Sequence, residues 1–277
     1  KELMNGQRIH ELVLLESLIK SNNINLDQFK KKIRSYDGYV DNNVINSVIN
    51  VLSLNFYTAE GKDKYGGKGI VTFREDEFKM SKSFETLIKN EQFKELFTDV
   101  IRVALSKNKE YIQNERLTLY NKYTRKDVCR LLDWDTDNSA TIFGYKVYQD
   151  TCPIFVTYSK SSDIDNNVKY EDQFLNQRIF KWYTRNPRKI DSPEVQKILS
   201  GSESGSMKIP LFIKKSDDEG KDFFYMGMVA VDKSSVVQES MPGKTGAVPV
   251  VTMNFVLNNS VPYDKYVSIT DVPISAN

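Results

Sequence analysis

The sequence predicts an α+β chain in two units: a mostly helical unit over residues 1–114 and a curled β-barrel unit over residues 115–277. Three observations lead there. The chain has 277 residues, enough for about two domains, and 40% hydrophobic with 27% charged side chains is an ordinary globular composition. Through the first part, apolar residues recur every three or four positions, the period of a half-buried helix. From Leu117 onward they come in short alternating runs separated by Ser, Asp, Gly and Asn, the pattern of strands and turns.

The elements follow in order. Ile9, Leu12, Val13, Leu15, Leu18 and Ile19 set a helix over 8–20. Asn25-Leu26-Asp27-Gln28-Phe29 opens a second helix, and Asp41-Asn42-Asn43-Val44-Ile45 a third, with Ile45, Val48, Ile49 and Leu52 on one side. Asn55–Thr58 and Ile70–Phe73 read as two short strands around the glycine-rich, basic stretch 60–69. Three helices and a hairpin are the order of a winged helix, whose third helix reads DNA. That helix has no Lys or Arg between residues 40 and 54, where phosphate contacts need them, and a structural helical domain fits the same order. Residues 82–113 predict two more amphipathic helices, a connector. Thr124-Arg125-Lys126-Asp127 has the form of a capping box and opens a helix over 128–132. Six β-type runs follow, at 145–148, 153–158, 180–184, 209–213, 223–229 and 248–257, and predict a partly closed barrel or curled sheet. Gly201-Ser202-Glu203-Ser204-Gly205-Ser206 reads as a flexible loop.

Composition excludes several chemistries. Lys+Arg is 39 against Asp+Glu 37, so bulk charge argues neither for nor against nucleic acid, and only a local patch can. The single histidine, His10, lies in an apolar helical pattern, so no HExxH pair and no two-histidine nuclease can be built. Cys129 and Cys152 form no CxxC motif; they read as small core residues of a protein in a reducing cytoplasm, with no zinc site. No apolar run approaches the ~20 residues of a membrane span, and the opening Lys-Glu-Leu-Met-Asn reads as a piece of a longer protein. Gly243-Lys244-Thr245 resembles the end of a P-loop, but Gln238 stands where that motif needs its first glycine, and a β-type run follows where a helix should begin. A hairpin turn accounts for it. No cofactor is expected.

One segment is locally basic. Between Tyr170 and Lys189, Arg178, Lys181, Arg185, Arg188 and Lys189 interleave with Phe180, Trp182 and Tyr183, with no acid from 173 to 190. Cations neutralise phosphates and aromatic faces stack on bases, so these five are candidate phosphate contacts. Strand alternation puts Phe180, Trp182 and Thr184 on one face and Lys181, Tyr183 and Arg185 on the other. A core strand with a solvated basic face fits equally. Asp172 lies beside the cluster, where a carboxylate can accept from the exocyclic amine of cytosine while rejecting the carbonyl of thymine; an exposed loop carboxylate fits the position too.

Leu119-Tyr120-Asn121-Lys122-Tyr123-Thr124-Arg125-Lys126-Asp127-Val128, Gly144-Tyr145-Lys146, Cys152-Pro153-Ile154-Phe155-Val156-Thr157-Tyr158, Phe180-Lys181-Trp182-Tyr183-Thr184 and Phe224-Tyr225-Met226-Gly227 together resemble the DUF3427 family. The resemblance covers roughly residues 115–270 and, more loosely, the helical part. That family forms the C-terminal region of type IV, modification-dependent restriction endonucleases that also carry a phospholipase-D-type nuclease and a superfamily-2 helicase. The resemblance implies a reader with a fold similar to SRA domains, whose partners are duplex DNA containing 5-methylcytosine or 5-hydroxymethylcytosine and the nuclease and helicase domains of the same polypeptide. It implies base flipping into an aromatic pocket, for which Trp182, Phe180, Tyr158, Tyr170 and Tyr225 are the candidate walls and Asp172 the amine contact. It implies no catalytic residue in this segment, and a helical unit that couples reader to nuclease. A nucleic-acid-binding module without modified-base selectivity and a structural module remain the alternatives.

Overall fold

A computed structural model describes residues 3–159, 172–243 and 246–271. The chain packs as two compact units, residues 1–118 with 126–139 and residues 119–125 with 140–277.

The first unit is built around α1 (Ile9–Ser21), whose residues Ile9 to Leu15 are all buried. A helix stretch buried on every side is central, and the rest of the unit packs around it. After β1 (Asn23–Asn25), α2 (Leu26–Arg34) is closed by a capping box between Asn25 and Gln28 and buries only Phe29 and Ile33. Asp41 caps α3 (Asn42–Leu52), which buries Val44, Ile45, Val48, Val51 and Leu52 and leaves Asn42, Asn43 and Asn46 exposed. Residues 55–58 are not a strand: Thr58 caps a short helix, α4 (Ala59–Lys64), by accepting from the Gly61 N–H. The strand at 71–74 instead pairs forward. β2 (Val71–Arg74) and β3 (Glu77–Met80) form a hairpin, and β1 completes a three-stranded sheet in the order β1-β3-β2. Next come α5 (Lys82–Ile88) and α6 (Glu91–Asn108).

Buried charge fixes part of this unit. Arg8 Nε donates to Glu11 Oε2 at 2.9 Å, and Arg8 Nη1 reaches Asp133 Oδ1 at 3.0 Å. Arg130 Nη1 meets Glu11 Oε1 at 3.2 Å, and Arg116 bridges Asp133 at 2.9 Å and Asp41 at 2.7 Å. Burial alone pushes the Glu11 carboxyl up, but Arg8 and Arg130 more than reverse this and hold it at about 2. His10 donates from Nε2 to the Tyr39 carbonyl at 2.7 Å; burial and the Arg8 charge push its pKa down to about 4, so the ring is neutral at pH 7.

In the second unit, β4 (Lys122–Tyr123) precedes α7 (Arg125–Leu131), whose later residues belong to the first unit. Residues 145–148 make only isolated bridges, to Phe143, Ile154 and Thr151, rather than the expected strand. The remaining strands are β5 (Ile154–Thr157), β6 (Gln173–Asn176) and β7 (Ile179–Tyr183). After α8 (Pro193–Ser204) come β8 (Pro210–Lys214), β9 (Phe223–Gly243) and β10 (Gly246–Leu257). α9 (Tyr263–Thr270) ends the described chain. Strand order is β5-β8-β9-β10-β7-β6, with β4 also on β9; β5–β8 is parallel and every other pair antiparallel. β9 changes partners along its 21 residues, meeting β4 and β8 early and β10 late, and bulges at Leu211/Phe212 and Thr252/Asn254 interrupt the register. Bulges bend strands and raise twist, and the sheet curls into a half-barrel.

One face of that sheet is the core, where Ile154, Val156, Phe180, Trp182, Leu211, Ile213, Val251, Met253, Phe255 and Leu257 meet Val195 and Ile198 of α8 and Ile269 of α9. The stretch 201–206, expected as a loop, is helical to Ser204. Gly201 lets α8 lie against Met207, whose Cβ stands 2.6 Å from where a glycine Cβ would be, and Ser202 Oγ accepts the Val231 N–H at 2.8 Å. Gly205, at φ 68°, ends the helix. Both cysteines are buried, and no disulfide joins them.

Candidate nucleic-acid interface

The alternation of β7 divides its residues between two environments. Phe180 and Trp182 enter the core, at 0% and 3% exposure. The Trp182 ring lies 4.9 Å from Tyr145, edge to face, and 5.1 Å from Phe255; Phe180 lies 4.9 Å from Phe174. Neither ring has a face open to a planar ligand, so serving as a base platform would mean leaving the core. The cause is cross-strand pairing: Phe180 sits opposite both Phe255 and Phe174, and Trp182 opposite Met253, so apolar side chains arrive from both neighbours.

Ile179, Lys181 and Tyr183 point to the opposite face. Lys181 is paired with Asn254 on one side and Gln173 on the other, and Asn254 in turn with Asp232 of β9. The Lys181 Nζ lies 5.0 Å from the centre of the Tyr183 ring, which holds a cation beside an aromatic ring on this polar face. Asp172 Oδ1 accepts the Tyr183 backbone N–H at 2.9 Å, which pins this carboxylate at the end of β7. Tyr158 is half-buried, 6.2 Å from Phe174, and burial raises its phenol pKa. Tyr225 is 5% exposed and packs on Phe212 at 5.4 Å, far along β9 from β7. Tyr170 lies outside the described residues. Asp172 and Tyr183 thus come together, while Trp182 and Phe180 go to the core and Tyr225 to another part of the sheet.

The basic segment is organised as well as charged. Arg178 is exposed at the β6–β7 turn, its Nε 3.3 Å from the Leu257 carbonyl. Arg185 and Arg188 converge on one carboxylate, Glu194 of α8, at 2.7 and 2.8 Å. Tyr145 donates its O–H to the same group at 3.2 Å, and the Arg185 guanidinium lies 4.8 Å from the Tyr145 ring centre. Hydrogen bonding to Glu194 raises the Arg188 pKa. Two guanidiniums against one carboxylate keep a net positive charge, and the shared partner fixes their orientation. Lys189 is exposed, its N–H bound to Ser192 Oγ. The loop is braced against β10 and the far end of β9. Thr184 N–H donates to the Val251 carbonyl at 2.9 Å, Arg188 N–H to the Pro249 carbonyl at 3.0 Å, and Ile190 N–H to Gln238 Oε1 at 3.2 Å. Beyond Val237, β9 and β10 pair only with each other, up to Gly243 opposite Gly246, so a two-stranded arm stands beside the basic loop. Among the described residues no group of three or more His, Cys, Asp or Glu side chains is placed to hold a metal, and no helix is long and apolar enough to cross a membrane.

Tyr183 and Asn254 are the positions that a search for aromatic platforms passes over. Their signal lies in the alternation: Thr252 and Asn254 are the polar members of an otherwise apolar run, in register with Tyr183 and Lys181.

Among solved structures, the chain is similar to the DNA modification-dependent restriction endonuclease AspBHI, at 13% identity and TM-score 0.35 over 57% of this chain and 82% of that one. It is also similar to the DNA recognition domain of the cytosine modification-dependent restriction endonuclease LpnPI, at 10% identity and TM-score 0.34 over the same shares. A third similarity is to the MspJI restriction endonuclease in complex with a 27-mer oligonucleotide, at 11% identity and TM-score 0.31 over 42% and 32%. No functionally curated protein matches the chain. Residues 1–113 match DUF8090, a domain of unknown function. Residues 117–269, more than half of the chain, match DUF3427, a domain of unknown function, and the chain belongs to that family.

Proposed function

We propose that this chain is the DNA-recognition part of a type IV, modification-dependent restriction endonuclease, and that its second unit binds duplex DNA carrying 5-methylcytosine or 5-hydroxymethylcytosine. The observation that carries the reading is the ordered basic edge of the curled sheet. Arg185 and Arg188 are fixed on Glu194 beside Lys189, and Lys181 lies by Tyr183 on the polar face. Backbone phosphates meet Arg178, Lys181, Arg185, Arg188 and Lys189, which supplies sequence-independent affinity. The modified cytosine is extruded toward the end of β7, where Tyr183 offers a ring and Asp172 a carboxylate for the exocyclic amine. Tyr158 and Tyr170 flank the chain segment leading to Asp172 and are the remaining candidate walls. The chain itself cuts nothing; the nuclease and helicase domains of the same polypeptide, in the cytoplasm, do so, with the first unit as coupler.

A buried methyl group yields about 1–3 kcal/mol, so 10- to 200-fold preference for the modified base is the physical ceiling of one pocket. A second reading, nucleic-acid binding without base flipping, is favoured by one specific observation: the enclosure of Trp182 and Phe180 in the core.

The test is an anisotropy titration of three matched duplexes, carrying 5-methylcytosine, 5-hydroxymethylcytosine or plain cytosine, at one stated salt concentration. Tighter binding of a modified duplex, lost in Tyr183→Ala or Asp172→Ala, supports the flipping reader. Equal binding of all three leaves the second reading, and no binding defeats both.

A further inference from the structure

A second cation in the same unit is placed as if for an anion. The Arg125 guanidinium lies over two phenyl rings, 5.0 Å from the centre of Phe223 and 5.4 Å from that of Phe155. Its Nε is buried and bonds nothing among the described residues, and its two terminal nitrogens make no hydrogen bond or ion pair there either. Burial lowers its pKa, though an arginine so placed stays charged. Asp217 is the acid whose field reaches it, but Asp217 is engaged elsewhere, by Lys214 Nζ at 2.8 Å and by the Thr157 hydroxyl at 3.4 Å. A half-desolvated guanidinium with every N–H unused is costly to keep, and the cost is recovered when an oxyanion takes the planar fork.

The rings make the slot rigid. Phe155 stacks on Phe212 at 4.8 Å with planes 12° apart, and Phe223 stands edge-on to Phe155 at 5.2 Å. Phe155, Phe212 and Phe223 belong to the sheet face opposite the core, the same face that carries Lys181, Tyr183 and Asn254 farther along. β7 is two strands from β9, and Asp232, in register with Asn254 and so with Lys181, is nine residues from Phe223. At ~3.3 Å per residue those nine residues alone span about 30 Å along the strand, so the two cations serve different phosphates of a duplex.

We propose that Arg125 is a phosphate-binding residue for the nucleic-acid backbone, a second anchoring point on the same face and remote from the basic edge at β7. The inference rests on the DNA reading above and extends it to residues that reading does not use. Phosphate is favoured over the carboxylate of a protein partner because the slot lies on the face that carries Lys181 and Tyr183, two of the proposed DNA contacts. The guanidinium fork holds one phosphate through its terminal nitrogens, while Phe155 and Phe223 exclude water from its back.

The experiment measures binding of an unmodified duplex by the full chain across a range of salt concentrations, for the natural sequence, Arg125→Gln and Arg125→Lys. Loss of one phosphate contact lowers the magnitude of the slope of log K against log salt by about 0.9, so Arg125→Gln is expected to show that loss. Arg125→Lys is expected to keep the slope while binding several-fold more weakly, because it retains the charge and loses the fork. Salt-dependent binding that is identical in all three overturns the Arg125 site and leaves the DNA reading standing. No binding by the natural sequence overturns both. Should Arg125→Gln fail to fold, the Arg125 Nε–H resonance of the natural chain is titrated with inorganic pyrophosphate: a saturable shift is expected, and an unmoved resonance overturns the site. A shift produced equally by a polyglutamate peptide replaces the nucleic acid with an acidic protein partner.

Discussion

The arginines of the two units stand against different partners. In the first, Arg8, Arg116 and Arg130 each meet at least one carboxylate within 3.2 Å, and Arg8, Glu11 and Arg130 are at most 4% exposed. In the second, Arg125 lies over the rings of Phe155 and Phe223 and has no carboxylate partner among the described residues. Charges paired inside a core serve the fold, because removing either member strands the other in low dielectric. A guanidinium resting on rings with no such partner keeps its donors for something outside. The same residue type thus reads as structural in one unit and as a binding group in the other, and the difference lies in what stands opposite it.

That contrast can be broken most severely in the first unit. Arg8→Ala leaves Glu11 to Arg130 alone and Asp133 to Arg116 alone and should cost about 3 kcal/mol, the low end for a broken buried pair. The chain's two tryptophans fall one in each unit, Trp134 in the first and Trp182 in the second, so the loss is read as an earlier denaturant transition in Trp134 fluorescence. A Trp134 transition that does not move would show the network to be dispensable. Truncating the buried indole in Trp182→Ala should likewise cost about 3–5 kcal/mol. The sharper variant is Trp182→Phe, expected to fold and to keep whatever preference the chain has for modified duplex. A selective loss of that preference, with plain-duplex binding intact, would return this ring to the base site.

Acid sharpens the comparison more gently. The unfolded His10 titrates near 6.5 and the buried ring at about 4, so the unfolded chain takes up the proton first as pH falls. The stability held by the neutral ring is whole above about pH 6.5 and is lost progressively toward pH 4, on the order of 3 kcal/mol. Glu11, held at about 2 against an ordinary 4.5, adds a second loss as pH falls below 4.5. Thermal melts from pH 7 to 4 should show the first decline, and His10→Gln should flatten it. The smallest effect on stability is expected at Arg125→Gln, under about 1 kcal/mol, because the rings it covers keep their neighbours. A larger loss would class Arg125 with the structural charges.

The sequence makes much of this architecture legible where a strong period meets a clear stop. The helices at 9–21 and 91–108 and the strands at 154–157, 179–183 and 210–214 all follow from spacing. What spacing could not yield has physical causes. Gly201, which looks like a breaker, is the residue whose missing Cβ lets α8 close on Met207. The strand at 173–176 is short, and its polar Gln173 and Asn176 hide it. Alternation correctly separates Phe180 and Trp182 from Lys181 and Tyr183. Which face then meets ligand depends on Phe255, Met253 and Tyr145, which arrive from elsewhere in the sequence. Arg125 is harder still: read locally it is a helix-opening residue, and only the tertiary structure sets its guanidinium over Phe155 and Phe223, with no anion against it among the described residues.

The central claim is that the charges of the second unit, and not those of the first, meet DNA. It is tested most directly by salt-dependent duplex binding in two double variants of the full chain. One is Lys181→Gln with Arg188→Gln; the other is Lys31→Gln with Arg34→Gln, both exposed at the end of α2. The slope of log K against log salt is expected to shrink by nearly 2 in the first variant and to stay unchanged in the second. A slope that shrinks in the second variant and not in the first would contradict it.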